Sequence, residues 1–414
     1  MSDSGVLNDI GYLACCRDEG DQSDVQPLSG AAISWKDGTF DFVGPAGDLP
    51  EATSTRAQYS AGGNAVFPGL VDCHTHLGFG GWRADEFKMR IEGRSYLEIA
   101  AAGGGIRKTM AQTRGASEEE LRDHCERYLS LYVRQGVTAV ECKSGYGLSL
   151  KEELKLLRVY RDIGQKTPVD IVSTLLAAHV VPEPAECNEN CYIKMICDDL
   201  LPEVASQGLA EFNDVFVEEG AFSKESARKI LQAGSDLGLR PKLHVDQLQD
   251  GGGAELAAEV NAVSADHLEY TSAGGIRALE SAGVTAVCLP FASLYLNQPP
   301  MKARVFMSAG VRVAVATDFN PGSAPCNDLP LAMMLACTMS RMTPTEALKG
   351  ATMYAARAIG RDHLYGSIEI GKRANFIEVS VEDVDHWMYH FQANSCLATW
   401  IDGRQIFRAS LQTG

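Results

Sequence analysis

From about residue 65 to 318 the chain alternates short apolar, β-branched runs with longer amphipathic stretches, the pattern of repeated strand–helix units. Eight strands are predicted: Ala65–Asp72, Val137–Cys142, Val169–Ala177, Asp214–Val217, Arg240–Val245, Ala262–Ala265, Val284–Leu289 and Val311–Thr317. The stretches between them carry helix signals. In SEEELRDHCERYLSLYVRQG, Ser117 and Glu120 form a capping box and Gly136 closes the helix; SKESARKILQAGSDLG opens a second helix at Ser223. Eight parallel strands with intervening helices suit a closed (β/α)8 TIM-like barrel better than an open doubly wound sheet. His74, His76, Lys143, His179, Glu218, His244, His267 and Asp318 fall at or just past the C-terminal ends of these strands, the face on which barrel enzymes build their sites.

The flanks read differently. GAAISW and TFDFVG near the start, and GKRANFIEVS and LATWIDGRQIF near the end, are short β-like pieces with turn residues between them. Each flank is too small to bury a core alone. Together, residues 1–63 and 366–414 are expected to form one small β-sandwich domain, with a barrel of residues 64–365 inserted between its halves.

A length of 414 residues with 45% hydrophobic and 22% charged residues leaves room for two ordinary domains or for one large α/β unit with an appendage. The net charge of −17 repels phosphate backbones and anionic membrane surfaces, so neither nucleic acid nor membrane is an expected partner. MSDSGVLNDIGYL lacks the basic and apolar regions of a signal peptide, and a cytoplasmic location is the default. The twelve cysteines are scattered, which predicts mostly free thiols; Cys187, Cys191 and Cys197 lie close in sequence, but their spacing matches no zinc ribbon. Cys15, Cys16 and the RDEGDQSD run that follows read as a solvated loop, and the GGG runs lack the spacing of a dinucleotide fingerprint. His124, His363, His386 and His390 occupy helix or tail contexts and suggest no role.

The chemistry concentrates in FPGLVDCHTHL. Side chains alternate along a strand, so His74 and His76 point the same way and can share a metal ion. KLHVDQL places His244 at the end of the fifth strand, and VAVATDFNPGS places Asp318 at the end of the eighth. Three histidines and one carboxylate suit a mononuclear site for Zn²⁺ or iron with room for a water, whose pKa the ion lowers toward about 7. This is hydrolytic machinery.

The HxH motif after PGLVD, with His244, His267 and Asp318, resembles the amidohydrolase superfamily. FGGWRADEF, EIAAAGGGI, ECKSGYGL, TLLAAHVVP, SADHLEYT and ATDFNPGSAP resemble the imidazolonepropionase family within it. The resemblance implies one divalent ion per chain, Zn²⁺ or Fe²⁺/Fe³⁺, on His74, His76, His244 and Asp318, and a homodimer. It further implies opening of the imidazolone ring of 4-imidazolone-5-propanoate to N-formimidoyl-L-glutamate by attack of a metal-bound hydroxide. Arg83 matches the family arginine that grips this small anionic substrate, and an arginine can hold a carboxylate with two parallel bonds. Tyr146, His179, Asn320, Gly322 and Ser323 match substrate-contacting positions, although Asn-Pro-Gly-Ser makes a good turn regardless. His267 is assigned beside the attacking water, and Asp318 is expected to take the water's proton and return it to the departing ring nitrogen. Gln247 stands where many members have Glu; it can hydrogen-bond the ring but cannot carry a proton near pH 7. The alternative is a related deaminase or lactam hydrolase acting on another small cyclic amide or amidine. Gln247 weighs against the deaminase, since related deaminases use a Glu there.

Overall fold

The structure, a computed structural model, describes residues 3–94, 98, 103–182, 188–391 and 394–410. Five strands come first: β1 (Gly5–Ala14), β2 (Pro27–Lys36), β3 (Thr39–Pro45), β4 (Ala57–Ser60) and β5 (Ala65–Pro68). Eight barrel strands follow: β6 (Leu70–Thr75), β7 (Val137–Lys143), β8 (Asp170–Ala178), β9 (Phe212–Val217), β10 (Arg240–Val245), β11 (Ser264–His267), β12 (Thr285–Cys288) and β13 (Val313–Val315). The chain ends through β14 (Phe376–Val379), β15 (Cys396–Ile401) and β16 (Arg404–Arg408).

The two ends of the chain meet where β5 pairs antiparallel with β14. One eight-stranded sheet results, ordered β16-β15-β14-β5-β1-β2-β3 with β4 beside β1. It curls over its own apolar face. Trp35 on β2 and Trp400 on β15 sit 5.4 Å apart, ring centre to ring centre, although three strands separate them in the sheet order. Phe376 stacks on Trp400 at 5.2 Å, and Leu7, Ile33 and Ile368 complete this core. Fully burying a large apolar side chain is worth about 1.5–3 kcal/mol, and both flanks contribute to the cluster, so neither would retain it alone.

Strands β6 to β13 are parallel and neighbour one another in chain order. The seam between β6 and the end of β13 is closed by a bridge between Thr75 and Phe319, by Asp318 N–H donating to His74 O at 3.0 Å, and by His76 N–H donating to Phe319 O at 2.9 Å. The residues that close the barrel are therefore those of the HxH motif and the β13 aspartate. Intervening helices cover the outside. Ser117 and Glu120 make the expected capping box on the helix Glu118–Arg134, and Ser223 caps Lys224–Asp236.

Several boundaries differ from the sequence pattern. The apolar run 65–72 is two strands, because the backbone partner changes at Gly69 from the terminal sheet to the barrel: Gly69 N–H donates to Asn375 O and Leu70 N–H to Gly136 O. A Cβ on Gly69 would stand 2.5 Å from Thr138, so only glycine fits this crossing. The segment expected at 262–265 pairs two residues later, which brings His267 into β11. The loop after β1 is also not simply solvated. Cys15 and Cys16 are buried, Gln22 donates to Val313 O at 2.7 Å and accepts from Val313 N at 3.0 Å, and the loop thereby extends the bonding of β13. Its acidic side chains face water, while its carbonyls turn inward to Lys349, whose Nζ donates to Glu19, Asp21 and Asp24 at 2.9, 3.0 and 2.9 Å.

Among the described residues ten cysteines are free thiols; Cys191 is disulfide-bonded, which removes it from any metal knot with Cys197, and Cys187 lies outside the described residues. Among the described residues no helix is long and apolar enough to cross a membrane.

Replacing Lys349 by Met strands three carbonyls, so Lys349→Met should destabilise the protein by roughly 3 kcal/mol. An unchanged urea midpoint would contradict the clamp. His124 packs at 4.4 Å on Phe79 and 4.9 Å on Tyr128, and burial, aided by the Arg127 charge, pushes its pKa down to about 4. Its folded-state pKa lies below the unfolded value, so the unfolded chain binds the proton first and this site loses stability as pH falls from about 6.5 toward 4. A proton NMR titration placing His124 near 6.5 in the folded protein would refute that.

Candidate active site

His74 and His76 leave β6, His244 leaves β10 and His267 ends β11; all four are buried. Asp318, just beyond β13, reaches back to place Oδ1 3.3 Å from His74 Nε2 and 3.5 Å from His76 Nε2. The His244 ring lies 4.5 Å from that of His74. Donor atoms of His74, His76 and Asp318 fall within 4.8 Å of one another, as do those of His74, His244 and His267. His74 Nδ1 is held by Asp266 at 2.7 Å and His244 Nδ1 by Asp214 at 3.1 Å. Their Nε2 atoms make no well-aligned hydrogen bond although buried. A carboxylate on one ring nitrogen and an unpartnered second nitrogen turned to a shared space is the arrangement of metal-ligating histidines, so the residues fit a metal ion.

The charge beneath these histidines fits as well. Lys143 Nζ, fully shielded from water, lies 3.0 Å from Glu141, 2.8 Å from Asp214 and 3.4 Å from Asp266. Lys242 Nζ donates to Glu141 at 2.9 Å and to Ala358 O at 3.1 Å. Burial works against ionisation of Asp266, but Lys143, Lys242 and His74 hold its carboxyl well below the usual range. Asp318 is held low against burial by hydrogen bonds from His74 and His76. Burial and Lys143 oppose protonation of His74, yet Asp266 and Asp318 raise it to about 9, so this space favours positive charge. Four carboxylates, Glu141, Asp214, Asp266 and Asp318, stand against two ammonium groups, Lys143 and Lys242, and a proton on His74 offsets only part of that excess, so a divalent cation in place of the proton would suit the cluster. Asp72 plays a different part: Thr317 bonds it from N and Oγ1, tying β6 to the residue before Asp318, and burial pushes its pKa up to about 6.

Tyr146 and His179 bring the loops after β7 and β8 to the same place. The His179 ring stacks on His76 at 5.3 Å, its Nδ1 bonds Gly145 O at 3.1 Å, and Tyr146 lies 5.7 Å from His76. Burial pushes His179 down to about 3, so it is neutral. Glu153 shapes the Tyr146 loop by accepting from the backbone N–H of Gly145, Gly147 and Leu148. Arg83 Nε and Nη2 donate to Glu86 at 2.9 and 2.8 Å, and a Cβ on Gly322 would meet Arg83 Nη1 at 2.4 Å, so this arginine lies against the loop after β13. Asn320 is committed to that loop: its Oδ1 accepts from Gly322 N and Ser323 N at 2.7 and 2.8 Å, and its Nδ2 donates to Asp318 O at 2.6 Å. Gln247, three residues after His244, is buried in the loop after β10, where Glu218 accepts from the N–H groups of Gln247 and Leu248.

The sequence pattern missed Glu141, Asp214, Lys242 and Asp266, and the carboxylates Glu86 and Glu153. The available signal was a charged residue inside an otherwise apolar strand, as in VTAVECK and FNDVFV. Removing the carboxylate behind a ligand histidine should lower metal affinity roughly 10- to 100-fold, so Asp266→Asn and Asp214→Asn should lose metal to a competing chelator earlier than the parent. Equal affinities in that competition would show that these aspartates do not orient the site.

The amidohydrolase family model matches residues 218–406. The chain is 46% identical over 376 residues to the imidazolonepropionase of Geobacillus kaustophilus, covering 90% of this chain and 89% of that one. It is 43% identical over 367 residues to the imidazolonepropionase of Pseudomonas entomophila, covering 87% and 91%. Among solved structures, triazine hydrolase from Arthobacter aurescens superposes with a TM-score of 0.76 at 14% identity, covering 98% of this chain and 95% of that one. A zinc-containing adenosine deaminase from Xanthomonas campestris does so with 0.70 at 16% identity, covering 97% and 92%. At such identities these two share the fold. The identity to the bacterial enzymes across nine-tenths of its length settles the narrower question: the chain belongs to the imidazolonepropionase family of the amidohydrolases.

Proposed function

We propose that the chain hydrolyses the imidazolone ring of 4-imidazolone-5-propanoate to N-formimidoyl-L-glutamate, with one divalent metal ion, Zn²⁺ or iron, held by His74, His76, His244 and Asp318. The observation that carries this reading is the pairing of a buried His/Asp cluster with an arginine pressed against the loop that follows Asp318. When bound, such an ion supplies Lewis acidity and lets water ionise near neutral pH.

The chain's own residues do the rest. Arg83 takes the propanoate in place of part of its bond to Glu86, and the Asn320 turn presents Gly322 and Ser323 beside it. Tyr146 and neutral His179 wall the ring and, packed on His76, keep bulk water from it. Gln247 bonds the ring without exchanging a proton. Asp318 takes the proton of the attacking water at one carboxylate oxygen and returns it to the departing ring nitrogen, while His267 steers the water. The same Gln247 argues against a deaminase reading. A homodimer is what the family resemblance implies, and a cytoplasmic location is kept as the default for so acidic a chain. The catalytic domain is taken to begin at about Gly69 and end near residue 365, with the terminal segments as its flanking unit.

Metal-loaded protein should consume imidazolonepropanoate, followed by loss of its ultraviolet absorbance, and release formimidoylglutamate; no turnover would overturn the proposal. Arg83→Met should raise KM about 10- to 100-fold with little change in kcat, because a charge-assisted contact common to ground and transition states is lost. Asp318→Asn should abolish turnover, and near-normal rates in that variant would exclude the proton transfer assigned to it.

A further inference from the structure

Gln247 leaves the site one titratable group short, and a buried carboxylate stands close by with no role assigned above. Glu269 lies two residues beyond His267 and is 5% exposed. Its Oε1 accepts from Ser293 Oγ at 3.1 Å and sits 3.7 Å from His267 Nδ1. Its Oε2 makes no hydrogen bond, and neither does His267 Nδ1. The two unpartnered atoms are complementary, one a carboxylate acceptor and the other a ring nitrogen able to donate. The 3.7 Å separation is to Oε1, which already accepts from Ser293, and a small rotation of either side chain brings the imidazole to hydrogen-bond length of that oxygen or of its unpartnered neighbour Oε2.

The backbone supports this pairing. His267 and Leu268 both adopt left-handed conformations, with φ of +81° and +67°, which side chains other than glycine take up only under constraint. Leu268 N–H donating to Val245 O at 3.1 Å and Tyr270 N–H to Asp246 O at 2.9 Å hold the kink against β10. The kink brings the Glu269 carboxyl back beside the imidazole. Two other histidines of the site already have a carboxylate on Nδ1, His74 on Asp266 and His244 on Asp214. His267 and Glu269, at 3.7 Å, have the same partners in place without the bond.

We propose that Glu269 is a positioning residue for His267: it accepts the Nδ1–H bond, fixes that tautomer and leaves Nε2, on the opposite edge of the ring, as an acceptor for the attacking water. The catalytic part of this rests on imidazolone hydrolysis as the reaction; the pairing itself does not. The test uses zinc-loaded protein labelled with ¹⁵N-histidine, in which long-range proton–nitrogen NMR reports the His267 tautomer without substrate. The parent should show Nδ1–H alone, and Glu269→Leu should lose that preference. In steady-state assays Glu269→Gln and Glu269→Leu should lower kcat roughly 10- to 100-fold, with KM and bound zinc within twofold of the parent, and Glu269→Asp should recover part of the loss. An Nε2–H tautomer in the parent, or parental kcat in both variants, would overturn the proposal. A parent that leaves imidazolonepropanoate untouched would instead refute the assigned reaction, and the tautomer would still judge the pairing.

Discussion

An ammonium group with no access to water holds the centre of this barrel. Lys143 touches Glu141, Asp214 and Asp266 at once, and Lys242 bonds the second oxygen of Glu141. Charges so far from solvent persist only where their partners are fixed, and removing one partner of such a set is strongly destabilising. Strands β7, β9, β10 and β11 each supply a member, so the network sets their relative heights. Asp214 and Asp266 pass that constraint upward by fixing the rings of His244 and His74. The lattice is complete in geometry, but its carboxylates outnumber its ammonium groups and draw a proton onto His74, and that excess of negative charge suits the cluster above it to a divalent cation.

Closure of the barrel and assembly of the site are one event. Asp318 and His76 form the backbone bonds of the seam between β6 and β13, and Asp72 secures Thr317 next to them. The left-handed backbone at Asp318, with φ of +54°, aims its carboxylate back across the seam toward both histidines. The loop after it is shaped by Asn320 and lies on Arg83, so Asp318 and the point of contact with that arginine sit a few residues apart on one segment. The flanking sheet contributes indirectly: β5 leads into β6 through Gly69, and the loop after β1 bonds β13 through Gln22. Both sides of the seam are thus anchored from outside the barrel.

Much of this was legible in the sequence. Strand alternation put His74 and His76 on one face, and strand ends located His179, His244 and Asp318. The carboxylates beneath were not legible, because their role depends on register between strands. His244 lies opposite Asp266, and Lys242 opposite Asp214, and neither pairing can be read from a single strand. Charged residues inside apolar runs signalled that something buried needed them, without saying what. The division of residues 65–72 at Gly69 was hidden for a similar reason: the run is apolar throughout, and only the change of backbone partner separates its two strands. The acidic loop near the start misled because its side chains do face water while its backbone serves Lys349.

The central claim is that the buried lattice is electrostatically incomplete until a dication joins it. Calorimetric melting of chelated and zinc-loaded protein at equal concentration tests this most directly. A ligand that binds only the folded state adds about 2.7 kcal/mol at a hundredfold excess over its dissociation constant, so the loaded protein should melt higher, by a margin that grows with free zinc. Coincident melting curves across that range of zinc would contradict the account.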